Sequence, residues 1–141
     1  MKKFLLMISL LLVSVVADAD SYSELTDKIL KAPKDSYISR LSDERIPDDY
    51  DDNEWNARLL KAEKHAEDVL SEGGELFIKI EDIFRNYLSP DEMLIVLKKT
   101  DAVATQDMKT RLRKAISESK EIMISYILGD LHDKKIEILY N

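Results

Sequence analysis

Apolar residues recur along most of this chain at spacings of three and four, the period of helices that bury one face. Trp55, Leu59, Ala62, Ala66 and Val69 form the cleanest stripe, with Asp52 or Asn53 placed to cap its start. Gly73 and Gly74 are positioned to stop it. Beyond them Leu76, Ile80, Ile83 and Tyr87 resume the pattern, widened by Phe77, Phe84 and Leu88. An arc that broad predicts a central helix touched on two sides. Upstream, Ser21 and Glu24 have the spacing of a capping box ahead of Leu25, Ile29 and Leu30, in a helix expected to end before Pro33. A shorter amphipathic turn or two, with Tyr37, Ile38 and Leu41, then runs towards Pro47.

The most legible helix start is Leu88-Ser89-Pro90-Asp91-Glu92-Met93. Ser89 caps, Pro90 takes the first helical position where its missing amide costs nothing, Glu92 closes the box and Leu88 can staple against Met93. This helix weakens at Thr100-Asp101 and around Thr105. A long final helix carries Met108, Leu112, Ile116, Met123 and Ile127, with Gly129 as its expected stop. Ile136 to Tyr140 is either a last helical turn or a short extended tail. No strand-like alternation stands out elsewhere, so the pattern predicts a compact all-α bundle of four or five helices. The short connections at 73–74 and 89 favour antiparallel neighbours.

The start of the chain has a different character. Met1-Lys2-Lys3, an apolar run from Phe4 to Val16 and Ala17-Asp18-Ala19 have the layout of a signal peptide, with cleavage expected after Ala19. That run is shorter than the roughly 20 apolar residues a membrane span needs. A periplasmic or secreted domain of residues 20–141 follows. The chain has no cysteine, so such a domain must hold together by packing, without disulfides.

Composition narrows the choice of partner. The chain has 21 basic and 28 acidic residues; loss of Lys2, Lys3 and Asp18 with the leader would leave 19 against 27, a net charge of −8. So acidic a surface argues against nucleic acid, whose phosphates need clustered lysine and arginine. The acids concentrate early, with eleven acids and five bases in residues 20–57. Asp48, Asp49, Tyr50, Asp51, Asp52 and Glu54 form the densest group, and these six are the candidate partner-binding residues. A calcium loop starting at Asp49 fails twice: Glu54 stands where a glycine must turn, and Leu60 where a bidentate glutamate is required. His65 and His132 share no metal-binding spacing, so neither a metal nor another cofactor is expected.

Catalysis is equally hard to build. Without cysteine there is no thiol nucleophile, and glycines only at 73, 74 and 129 make neither a serine elbow nor a phosphate loop. Glu63, Glu67 and Glu92 are the carboxylates one would nominate for sugar cleavage, but they read as caps and solvated faces. Trp55 and the methionines at 93, 108 and 123 read as core, or alternatively as the lining of a groove for an apolar ligand.

From Phe84 to Ser119 the chain resembles a family of small exported bacterial helical proteins of unknown function. Tyr87 to Met93 matches that family's capped helix start, Leu94 to Leu97 the helix after it and Lys109 to Leu112 a later one. The family's aromatic, serine, proline and glycine break is replaced here by Leu97-Lys98-Lys99-Thr100-Asp101. The resemblance implies an all-helical exported domain and no activity.

The expectation is therefore a non-enzymatic accessory or inhibitor protein of the cell envelope. An immunity protein is one version, docking a basic envelope or secreted partner through its acidic region. The alternative is a carrier of a small apolar or cationic ligand, and the third reading is a cell-wall-acting enzyme using carboxylates.

Overall fold

The computed structural model describes residues 2–141, with side chains from Ser21 onward. The expected leader, and cleavage after Ala19, concern side chains outside those described. The elements follow in the order α1 (Lys2–Arg40), a 3₁₀ turn (Leu41–Asp43), α2 (Asp52–Leu70), α3 (Glu75–Tyr87), α4 (Pro90–Val96), α5 (Gln106–Tyr126), a π turn (Ile127–Leu131) and α6 (His132–Tyr140). The fold is all-α. Counting α5, the π turn and α6 as one rod, the described residues form five.

Helix α3 is the hub. Leu76, Phe77, Ile80, Ile83 and Phe84 are all buried on it, and α1, α2 and α5 each pack against it. The broad apolar arc read from the sequence is thus used on more than one side. One core runs through α3 and includes Leu30 of α1, Leu70 of α2, Met93 of α4 and Met108 of α5. A second, smaller one joins Leu41, Trp55, Ala62, Ile138 and Leu139, where α6 lies along α2.

The start of α4 forms as expected. Ser89 and Glu92 make both bonds of the capping box with Pro90 at the first position, and Leu88 and Met93 are buried in the same cluster.

Several boundaries differ from the sequence expectations. Helix α1 does not end before Pro33 but passes through it. The proline forgoes its amide bond and crowds the preceding turn, at about 3 kcal/mol. Past it, however, Tyr37, Ile38 and Leu41 continue the apolar face that Leu30 begins, and their burial outweighs that loss. Ser21 and Glu24 lie inside α1 instead of capping it, and Glu24 pairs with Lys28 and with Lys99. Helix α2 is capped by Asp51, not by Asp52 or Asn53: its carboxylate accepts from the Glu54 amide at 2.7 Å. Gly129 stops nothing, because the π turn carries the rod on into α6, so Ile136 to Tyr140 is helix and not an extended tail.

Helix α5 is rotated from its expected register. Its inward positions are Met108, Ala115, Ser119 and Tyr126, while Ile116 is partly exposed. Small residues at 115 and 119 let α5 approach α3 closely, and α3–α5 is the most extensive helix pair in the fold. Ile116 is displaced to the flank of the contact.

Candidate functional site

The acidic segment is a short bridge between the 3₁₀ turn and α2, and its ends are pinned. Tyr50 donates its amide to the Pro47 carbonyl at 3.1 Å, closing a turn around Asp48 and Asp49. The Tyr50 ring lies 6.2 Å from Trp55, and the Tyr140 ring lies 5.8 Å from the same indole. The Arg58 guanidinium stands 4.6 Å over Tyr50, a cation–π contact. The same Arg58 donates to the Ile138 and Leu139 carbonyls at the end of α6, where a cation suits the negative end of the helix.

On the other side of this bridge, Glu44 accepts from Lys135 at 2.6 Å and lies 3.0 Å from the Tyr140 hydroxyl. Those two bonds, Lys135 first, hold the Glu44 carboxyl below its usual range. The C-terminal rod therefore clips the acidic segment to α2.

The six expected partner-binding residues separate into two groups. Tyr50 is half-buried in the aromatic cluster, Asp51 is spent on the cap, and Glu54 pairs with Arg58 at 3.3 Å. Asp48, Asp49 and Asp52 are exposed and make no ion pair or side-chain hydrogen bond among the described residues. The structure thus leaves three carboxylates unoccupied on an anchored edge.

The nominated catalytic carboxylates do not converge with a partner base. Glu92 is fully engaged: Arg111 grips both its oxygens, at 2.7 and 2.5 Å, and one also accepts the Ser89 amide. Arg111 also donates to the Tyr87 carbonyl at 2.8 Å and to Asp107 at 3.0 Å. Glu63 is half-buried and Glu67 exposed, one turn apart on α2. Among the described residues no group of three or more histidines or acids is placed to hold a metal ion, and no helix is long and apolar enough to cross a membrane.

Comparison with protein-family models, with curated proteins and with solved structures finds no match. The site must be read from its own chemistry.

One feature was not legible from the sequence. Helices α1 and α5 both lie on α3 without extensive contact with each other, and an apolar cleft of about 310 Å³ opens between them. Ser119 lines it; only 1% of this residue is exposed, and its hydroxyl has no hydrogen-bond partner. The available signal was a serine midway between Ile116 and Met123 in an otherwise apolar register.

The Glu92 bonds bear on stability in acid. Arg111, and after it the Ser89 amide, pull the Glu92 carboxyl down to about 2 from 4.5, and Lys99 and Lys135 lower Glu24 and Glu44. A carboxyl with a depressed folded-state value stabilises the fold fully above its unfolded value, and that stabilisation is lost as pH falls through the folded one. Thermal melts followed by circular dichroism should therefore show a midpoint that falls between about pH 4.5 and 2. Glu92→Gln should lower the midpoint at neutral pH and flatten the fall. An unaltered slope in that variant would show that Glu92 is not the group responsible.

Proposed function

We propose that this is an exported, non-enzymatic binding protein, an accessory or inhibitor of a basic envelope or secreted protein, docked through the edge formed by Asp48, Asp49 and Asp52. The observation that carries this reading is their clustering: three exposed carboxylates without an ion pair stand within five residues, beside a turn closed by the Tyr50 amide and held by the Tyr50 and Trp55 rings. The first turn of α2 accounts for Asp52 in part, since acids suit a helix start. It accounts for neither Asp48 nor Asp49. Held on a pinned turn, these carboxylates meet a cationic surface with little loss of chain entropy and draw it in at a distance. The leader supports export, and an immunity protein against a basic toxin is one concrete form of the role.

Reversing Asp48 and Asp49 to lysine while leaving Asp51 to cap α2 tests this directly. Capture of a basic partner from an envelope extract should be lost, with the far-ultraviolet dichroism unchanged, and capture by the natural protein should weaken as salt rises. Undiminished capture by the reversed protein rejects the docking edge. A second reading, the carrier of a small apolar ligand, is favoured by the cleft between α1 and α5.

A further inference from the structure

We propose that the cleft between α1 and α5 binds a medium-chain alkyl carboxylate, its chain against the apolar walls and its head group at Ser119, with Lys120 at the rim. The proposal rests on the carrier reading and adds the ligand's chemistry and its anchor. The walls are Leu25 and Ile29 of α1 and Leu112 and Met123 of α5, with Phe84 of α3 and Val96 of α4 completing them. Ser119 and Lys120 are the polar residues among the lining. A volume of about 310 Å³ is about twice the roughly 150 Å³ that accommodates benzene, which suits a molecule of about twelve non-hydrogen atoms.

The head group follows from the unpartnered hydroxyl. A buried hydroxyl without a partner is destabilising, and a serine in a helix can usually return its hydrogen to a carbonyl one turn back. Ser119 does not. Water in this cleft would find one good partner where it needs two to four, so a ligand oxygen displaces it at little loss. The Ser119 hydroxyl, almost wholly covered in the unliganded fold, offers a hydrogen to an acceptor once its side chain turns into the cleft, and Lys120, the exposed neighbour on the same lining, offers positive charge. An acceptor that is also an anion answers both, and the apolar walls exclude an anion without a chain. The cleft has a structural origin in the rotation of α5: with Ala115 and Ser119 turned inward, Ile116 lines the flank facing α1.

Isothermal titration of the purified protein with decanoate, and with decanol as the uncharged control, tests the assignment. One decanoate should bind per chain, more tightly than decanol. Ser119→Ala should weaken decanoate about five- to tenfold, the value of one hydrogen bond, while leaving the unliganded protein at least as stable, because it removes an unsatisfied hydroxyl. Lys120→Gln, at an exposed position, should weaken decanoate and leave decanol unchanged. Decanol bound as tightly as decanoate overturns the head group while sparing the carrier reading. No saturable binding of either ligand overturns both, and decanoate affinity unchanged in Ser119→Ala overturns the anchor.

Discussion

Replacing Trp55 with alanine is expected to lower the unfolding free energy by about 3–5 kcal/mol, the range for truncating a large buried aromatic side chain. Trp55 is 3% exposed and sits beside the rings of Tyr50 and Tyr140. It belongs to the smaller core, which has few other large side chains and so little capacity to close over a cavity. The damage should spread in a defined direction. Tyr50 would lose its ring contact at the base of the acidic turn, and Tyr140 would lose the contact that seats α6. Urea unfolding followed by circular dichroism measures the loss, and hydrogen exchange should show residues 44–55 and α6 loosening before α3. Trp55→Phe should retain most of the stability. A loss below about 1 kcal/mol in Trp55→Ala, well short of that range, would mean that the aromatic cluster is not what holds the acidic edge in place.

The second large effect comes from a glycine with an ordinary backbone angle. Gly74 caps α3 at φ −77°, yet a Cβ there would lie 2.1 Å from the Asp68 carbonyl oxygen and 2.6 Å from the Val69 carbonyl. Those atoms are backbone at the end of α2 and cannot swing aside. Gly74→Ala should therefore cost about 3 kcal/mol by forcing the two helices apart. Its neighbour Gly73 is the reverse case, with φ at +82° and open space where the Cβ would go. Gly73→Ala should cost only the left-handed penalty, about 1–2 kcal/mol. Equal losses in the two variants, measured by the same urea titration, would contradict the close approach of α2 and α3.

Much of this fold was readable because its helices announce themselves locally. The Ser89 box, the Trp55 stripe and the broad face of α3 each depend on neighbours within a turn or two, and each forms as the spacing predicts. The errors arose where a local preference met a tertiary demand. Pro33 and Gly129 look like stops, yet the apolar residues beyond each are needed in a core, so the helical rods run on. The end of α4 was hidden for the opposite reason. Lys98 takes the left-handed angle, φ 58°, that glycine usually supplies, and the Lys98 and Lys99 amides return to the Ile95 and Leu94 carbonyls in the Schellman pattern. With no glycine present, nothing in the letters marks that stop.

The candidate site was legible in the same partial way. Charge density located the acidic segment, but it could not separate Asp51, Tyr50 and Glu54, which serve the fold, from Asp48 and Asp49, which do not, or from Asp52, which does so only as an acid in the first turn of α2. Part of that division is local, in the Asp51 cap and the Glu54–Arg58 pair, but the Trp55 ring beside Tyr50 also meets Tyr140, a residue distant along the chain. The cleft was less visible still, because the rotation of α5 depends on how closely it can approach α3.

The central claim is that the exterior acidic edge meets the target, and crosslinking in living cells tests it most directly. A photoreactive amino acid placed at position 49, and in a separate experiment at the exposed Lys109 of α5, reports which surface is covered. The account expects one discrete adduct with a basic protein from position 49, absent when Asp48 and Asp52 are reversed to lysine, and none from position 109. Adducts from 109 but not from 49 would contradict it.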